Sequence, residues 1–183
     1  MERYDVVIVG TGPAGMGAAF SLLDKYKDIS ILMIDKSSVS TGGMRNDCKM
    51  NFTFPIGFPE EYWDKETADR YLEKVTEFLQ PNILPKSNIE VYQERAKKLD
   101  SSLLEIRQTH LGTDGGLRLI KELLKKLEER GVKLALKEEV ISIDNKRKLV
   151  KTNLRDIEYK AVLVAPGRQG FKFLQDVMHN LGI

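Results

Sequence analysis

Three glycines near the N-terminus have the spacing of a phosphate-binding turn. Gly10, Gly12 and Gly15 follow the apolar run 4–9 directly, and a second apolar pattern covers 16–23. This order predicts a strand, a tight turn and a helix. Glycines at these positions permit the turn itself, the approach of the backbone to a pyrophosphate, and close packing of the helix on the strand. Amides at the helix N-terminus would then face the negative charge of the phosphates.

An acidic residue completes the pattern. Asp35 ends the next apolar run, 29–34, and lies 20 residues past Gly15. A carboxylate at this position can accept hydrogen bonds from ribose hydroxyls, and its charge would repel a 2′-phosphate. Strand, turn, helix, strand and acid together predict a dinucleotide-binding site rather than a glycine turn without a ligand.

The composition excludes several function classes. The chain has 183 residues, of which 42% are hydrophobic and 31% are charged, as in ordinary soluble globular proteins. Because 29 Lys and Arg residues nearly balance 27 Asp and Glu residues, the net charge of +2 gives no argument for binding nucleic acid or a membrane. No transmembrane span, signal peptide or metal site is predicted, and we expect a cytoplasmic protein.

Cysteine usage limits the redox chemistry of the chain. Cys48 is the only cysteine, so neither an intrachain disulfide nor a Cys-x-x-Cys dithiol can form. Two interpretations of Cys48 remain: a structural residue, which the sequence favours, or a reactive lone thiol.

The middle of the chain is predicted to be mostly helical. Residues 36–59 show no periodicity and are predicted to form a long functional loop. Helical spacing covers 64–80, with Asp64 as the N-cap, and a second helix covers about 89–99. A strand at 103–109 is predicted, and a strong amphipathic helix follows it. That helix is capped by Thr113 or Asp114 and ends at Gly131, and the last helix of the chain covers 171–181.

Beyond this amphipathic helix the hydrophobic period changes to two. Short strands at 132–136, 140–143, 149–152 and 157–159 are joined by polar turns and predict an antiparallel meander. The continuous apolar run 161–164 then predicts a buried parallel strand.

These motifs and their order resemble the FAD-binding domain of the glutathione-reductase-type flavoproteins. The stretch 9–15 is similar to the pyrophosphate loop of that class, and Asp35 stands where glutamate is commoner. By this resemblance the backbone at Val140 pairs with the adenine edge, and 165–167 (Ala-Pro-Gly) replaces a second contact usually written Ala-Thr-Gly. A nicotinamide-type domain would instead continue from Asp35 with another short α-β unit.

Three further segments, 42–49, 110–114 and 165–168, resemble a group of poorly characterised FAD-dependent dehydrogenases. This resemblance implies that the loop 42–49 lines the ribityl and flavin end of the cofactor. The alternative is an ordinary surface loop.

The predicted fold is therefore α/β, a Rossmann-like FAD/NAD(P)-binding domain. It combines a parallel sheet, an antiparallel β-meander crossover and a helical insertion at about 60–110, in a single domain spanning 1–183. The late Gly-Asp motif of the class is absent, as is a second Gly-x-Gly-x-x-Gly for NAD(P)H. We therefore expect a domain truncated before a substrate domain, with a C-terminal domain or a partner chain completing the flavin site.

The predicted function is the FAD-binding domain of an FAD-dependent oxidoreductase, with hydride transfer through flavin N5 and an unknown small-molecule substrate. Two alternatives remain: a non-catalytic nucleotide-binding subunit completed by a partner chain, and an NAD-binding domain. The predicted cofactor-binding residues are Gly10, Gly12, Pro13, Ala14, Gly15, Asp35, Lys36, Gly42, Gly43, Val140, Ala165, Pro166 and Gly167.

Few acid–base residues are expected, because a flavin performs the hydride chemistry itself. His110 is the candidate for proton transfer, and the competing interpretation is a histidine bonded to loop backbone. Arg45 and Lys49 could meet cofactor or substrate charge, or could simply be solvated. Trp63 and the nearby phenylalanines could shield a flavin, but they more plausibly anchor the long loop to the helix at 64–80.

Overall fold

A computed structural model describes residues 1–39 and 48–182 of the chain. The chain divides into two compact units. We call Met1–Arg45 with Thr113–Ile183 the sheet unit, and Asn46–Gly112 the inserted unit. None of the helices in the described part of the chain has the length and apolar character needed to span a bilayer.

The described residues form strands, helices and one 3₁₀ turn. In chain order they are β1 (Glu2–Val9), α1 (Pro13–Lys25), β2 (Ile31–Asp35), β3 (Lys49–Asn51), α2 (Lys65–Leu79), α3 (Ile89–Lys97), β4 (Gln108–His110), α4 (Gly112–Glu129), β5 (Lys133–Leu136), β6 (Val140–Asp144), β7 (Leu149–Thr152), β8 (Asp156–Val164), the 3₁₀ turn (Arg168–Gly170) and α5 (Phe171–Leu181).

The sheet unit is built on a six-stranded sheet in the order β5-β2-β1-β8-β7-β6. The first four strands in this order are parallel, whereas β8, β7 and β6 pair antiparallel. This arrangement confirms the predicted α/β fold with a mostly parallel sheet. It also places the Gly-rich turn after β1, at the carboxyl end of a central strand, where open α/β sheets bind their ligands.

The structure corrects the predicted position of β5. The sequence placed residues 132–136 in the meander, but β5 lies at the opposite edge of the sheet and pairs parallel with β2. The prediction was wrong because alternation identifies a half-buried strand without identifying its neighbour. The preceding helix α4 forms the crossover that brings β5 back parallel to the sheet.

Strand β8 also differs from its prediction. The segments 157–159 and 161–164 form one continuous strand through Lys160, and this strand pairs with both β1 and β7. One strand therefore ends the meander and joins the parallel sheet. The prediction that residues 161–164 form a buried strand was wrong in part, because the side chain of Leu163 is 38% exposed. Val162 faces the other way and packs against the core.

The core covers both faces of the central strands. Ile8 and Met33 are fully buried on one face. Alternation places their neighbours in β1 and β2 on the other face, which is covered in part by Phe173 of α5. The buried cluster on that second face consists of Val7, Val9, Leu32, Ile34, Ala135, Val140, Val150, Ile157 and Tyr159. A sheet buried on both faces explains the nearly continuous apolar runs of β1 and β2.

Helix α4 begins earlier than predicted. Thr113 or Asp114 was expected as a capping residue, but the helix begins at Gly112, whose φ of 66° lies in the left-handed region that favours glycine. At the other end, Gly131 has a φ of 92° and its amide donates to the carbonyl of Glu128. The prediction that Gly131 ends this helix is confirmed.

The inserted unit contains α2, α3 and a ribbon of β3 and β4. Asp64 is the N-cap of α2 as predicted, because its Oδ1 accepts from the amide of Thr67 at 2.8 Å. This hydrogen bond lowers the pKa of the Asp64 carboxyl. The sequence missed β3, which is too short to show a period. Only the last residues of the strand predicted at 103–109 fall within β4.

An aromatic contact series fixes the segment before α2. Trp63 packs edge-on against Phe58 at 5.1 Å between ring centroids, and against Tyr71 of α2 at 5.8 Å. Edge-to-face pairs of this kind stabilise packing beyond the area they bury. The contacts favour the interpretation that these aromatic residues anchor the loop to the helix.

Candidate dinucleotide-binding site

The turn between β1 and α1 requires glycine at its first position. Gly10 has a φ of 107°, and its amide donates to the carbonyl of Ile34 at 2.8 Å. A Cβ on Gly10 would lie 2.2 Å from the carbonyl oxygen of Ala165. The turn therefore packs directly against the residue that follows β8, so two motifs that are far apart in sequence meet here.

Packing also requires glycine at the third position of the motif, Gly15. A Cβ on Gly15 would lie 2.1 Å from the carbonyl oxygen of Gly10 and 3.2 Å from Cγ2 of Ile8. Distances below 3 Å require the backbone to shift, so the first turn of α1 can approach β1 only without a side chain here. This is the close contact of helix and strand that the spacing predicted.

Gly12 differs from both, because none of the described residues occupies the space beside it. It is the N-cap of α1 with a φ of −74°, which any residue can adopt, and a Cβ there would meet no atom of residues 1–39 or 48–182 within 4 Å. Pro13 is the first helical residue and carries no amide hydrogen. The amides of Ala14 and Gly15 have no acceptor within the helix. Open space above helix amides and the positive end of the helix dipole fit a diphosphate.

Asp35 is hydrogen-bonded to the turn rather than extended away from it. Its Oδ2 accepts from both the amide and the hydroxyl of Thr11, each at 2.9 Å, and its Oδ1 accepts from the amide of Ser37 at 2.9 Å. Thr11 is completely buried. Sequence reasoning missed Thr11, since a threonine between two glycines carries no signal of its own beyond its position.

The end of β2 is joined to the segment that leads into β6. The amide of Lys137 donates to the carbonyl of Ser37 at 3.0 Å, and the amide of Glu138 donates to the carbonyl of Asp35 at 3.1 Å. Val140 follows two residues later, 7% exposed. The predicted ribose and adenine contacts therefore belong to segments that are hydrogen-bonded to each other.

An ion pair with one buried partner, Glu138, holds this segment. The side chain of Glu138 is 5% exposed, and its two oxygens accept from Nε and Nη2 of Arg155, each at 3.0 Å. Thr152 adds a hydrogen bond to Glu138 at 2.8 Å, and Glu2 of β1 also pairs with Arg155. The contact with Glu138 raises the pKa of the Arg155 guanidinium. Bidentate geometry of this type is both strong and specific.

The segment after β8 turns sharply beside Gly10. The amide of Ala165 donates to the carbonyl of Val9 at 2.8 Å, and Gly167 has a φ of 65°. A Cβ on Gly170 would lie 2.3 Å from Cβ of Pro166. Packing therefore also requires glycine at position 170, which no sequence motif had indicated.

Comparison with known proteins identifies the family of this chain. Residues 4–181 match the family model described as pyridine nucleotide-disulphide oxidoreductase. The chain belongs to this family. Membership confirms FAD as the cofactor, in agreement with the motifs and with the open space beside Gly12. The match covers both units and nearly the whole chain.

The individual proteins that resemble this chain either match only part of it or share little sequence identity with it. An uncharacterised protein of Methanosarcina barkeri is 38% identical over 80 residues, which is 41% of this chain and 20% of that protein. Among solved structures, NikD, an unusual amino acid oxidase essential for nikkomycin biosynthesis, is 15% identical with a TM-score of 0.59 over 100% of this chain and 55% of its own. L-proline dehydrogenase from P. horikoshii is 18% identical with a TM-score of 0.59 over 100% of this chain and 56% of its own. These structures share the fold, and the chain spans about half their length.

The remaining candidates lie on exposed segments or outside the described residues. Lys36 is exposed on the segment after β2. Gly42, Gly43 and Arg45 lie outside the described residues. His110 and Lys49 face each other as Cα partners in the ribbon of the inserted unit, and both are exposed.

Cys48 is 1% exposed, and burial raises the pKa of its thiol. A raised pKa lowers the thiolate fraction at any given pH, so the structure favours the structural interpretation. We expect iodoacetamide to alkylate the folded protein at pH 8 at least about tenfold more slowly than the urea-unfolded chain. The rate should rise only above the pH at which an ordinary thiol ionises. Equal rates in the folded and unfolded protein would indicate a reactive thiol instead.

Proposed function

We propose that this chain is the FAD-binding portion of an FAD-dependent oxidoreductase. The amides of Ala14 and Gly15, beside the open space at Gly12, would bind the pyrophosphate. Asp35 would bind the adenosine ribose, the backbone at Val140 the adenine edge, and the segment 165–167 a second part of the cofactor. The observation that carries the proposal is the N-terminus of α1, which has no side-chain cap from the described residues and where a Cβ would meet none of their atoms within 4 Å.

The bound flavin would supply hydride transfer at N5. The contribution of this chain is to bind and orient the adenosine and diphosphate and to set their electrostatic environment. His110 is the proposed proton-transfer residue in the inserted unit. With its single cysteine the chain cannot supply a redox dithiol, so any disulfide chemistry of the family would need a second thiol from elsewhere.

We further propose that another domain or a partner chain completes the flavin and substrate site. Support comes from the solved relatives, which cover this whole chain with only about half of their own length. The same observation favours the second candidate function, a nucleotide-binding subunit whose catalytic wall belongs to a partner. The two differ in whether the 183-residue chain alone turns over a substrate once FAD is bound.

The first test is the identity of the bound cofactor. We expect the purified chain to be yellow and to release FAD on denaturation, as detected by mass spectrometry and flavin absorbance. If the protein is isolated without a ligand, added FAD is expected to raise its melting temperature, and NAD is not. Release of NAD from a colourless preparation would instead support the NAD-binding alternative. If neither dinucleotide binds, the proposed function is wrong.

A further inference from the structure

The Asp35 carboxylate has few acceptor positions left for a ligand. A carboxylate has two oxygens and about four lone-pair positions. On Oδ2, the amide and the hydroxyl of Thr11 occupy both positions, and on Oδ1 the amide of Ser37 occupies one. Counted over the donors that the described residues supply, one position on Oδ1 therefore remains.

From this count we infer that Asp35 accepts a hydrogen bond from only one hydroxyl of the adenosine ribose. We also infer that Thr11 is the positioning residue that enforces this selectivity. A carboxylate free of protein donors could accept from the 2′- and 3′-hydroxyls together. Here the hydroxyl of Thr11 fills the position that the second ribose hydroxyl would need. This inference rests on the proposed function, because it requires an adenosine nucleotide at this turn.

The side chain of Thr11 orients the Asp35 carboxylate more firmly than its backbone amide alone would. Its amide and hydroxyl both donate to the same oxygen, so two bonds from one residue fix the rotation of the carboxylate. The residue is completely buried, whereas Asp35 is half-buried. The amide of Ser37 donates to the other oxygen. A carboxylate held at both oxygens presents its last acceptor position in one direction.

The first experiment uses ADP as the probe, because it carries the adenosine and the diphosphate without the flavin. Binding of ADP, 2′-deoxy-ADP and 3′-deoxy-ADP to the flavin-free 183-residue chain is measured by calorimetry. Removal of one of the two hydroxyls is expected to weaken binding about tenfold or more, since the acceptor is charged. Removal of the other is expected to change the affinity by less than about threefold. Equal weakening by both deoxy analogues would overturn the inference.

The second experiment tests Thr11 itself. Thr11→Val keeps the amide and the shape of the side chain but removes the hydroxyl, which frees a position on Oδ2. The difference in affinity between the two deoxy analogues is expected to shrink to less than about threefold. Thr11→Ser retains the hydroxyl and is expected to preserve the difference. If Thr11→Val lowers only the melting temperature and leaves the difference unchanged, Thr11 is structural and the inference fails.

The controls separate this inference from the proposed function. If the wild-type chain binds neither ADP nor FAD, the proposed function fails. If it binds ADP but does not distinguish the deoxy analogues, only the inference about Asp35 and Thr11 fails. Should Thr11→Val not fold, the wild-type series with the two analogues together with Thr11→Ser still decides between one hydroxyl contact and two.

Discussion

Replacement of Gly12 by leucine is expected to abolish FAD binding while the flavin-free protein remains folded. The φ of −74° suits any residue, and a Cβ at Gly12 would meet no atom of the described residues within 4 Å, so we expect the fold to accept a side chain at this position. It would occupy the volume proposed for the diphosphate. Loss of hydrogen bonds from two amides to a charged phosphate, each worth about 1.5–3 kcal/mol, lowers the affinity about hundredfold or more. The measurements are FAD titration by fluorescence and thermal melting without FAD.

The matched control is the same substitution at Gly17. Gly17 is exposed on α1, more than a turn beyond Gly12, and a Cβ there also meets no atom within 4 Å in the part of the chain that the structure describes. Gly17→Leu is expected to leave FAD binding within about threefold and to raise the melting temperature slightly, because glycine is a poor helix former. If Gly12→Leu and Gly17→Leu bind FAD equally well, the N-terminus of α1 does not hold the phosphates.

The contrast with the other two glycines defines what this test measures. A side chain at Gly10 or Gly15 would collide with backbone oxygen at 2.2 Å and 2.1 Å. Substitution at either position therefore damages the fold whether or not a ligand binds, and loss of FAD there would not be informative. Of the three glycines in the motif, Gly12 alone separates binding from folding.

How much the sequence could predict follows from the range of the interactions. The Gly-rich turn and the helix after it were predictable because each depends on neighbours within a few residues, and Asp35 was predictable because the motif sets its distance from the glycines. The ends of α2 and α4 were within a few residues of the prediction for the same reason. The edge position of β5 was not predictable, since β5 pairs with a strand about 100 residues away in the sequence.

The candidate site shows the same limit. The motif predicted Asp35 as a ribose acceptor, but its hydrogen bonds to Thr11 become visible only when β2 and the turn are placed side by side. Glu138 and Arg155 look like ordinary charged residues in a sequence that is 31% charged. Their pairing depends on burial of one partner, and burial is set by packing that no local pattern encodes.

The second large effect is expected at that ion pair. Arg155→Leu leaves the Glu138 carboxylate, 5% exposed, without its bidentate partner. Breaking a buried pair from one side typically costs 3–5 kcal/mol. Because the side chain of Arg155 is itself 34% exposed and water can reach its place, we expect about 3 kcal/mol of lost unfolding free energy. Urea denaturation monitored by circular dichroism measures this loss.

Arg147→Leu is the matched control, because Arg147 lies in the adjoining hairpin and pairs with Asp144 at 3.9 Å with its side chain 82% exposed. A surface pair of this kind is worth less than about 1 kcal/mol, so this variant should be nearly as stable as the wild type. The double variant Glu138→Leu with Arg155→Leu should regain most of the lost stability, since no buried charge is left unpaired. If Arg155→Leu is no more destabilising than Arg147→Leu, the pair does not hold the fold. Because the amide of Glu138 donates to the carbonyl of Asp35, Arg155→Leu is also expected to weaken FAD binding at temperatures where the protein is still folded.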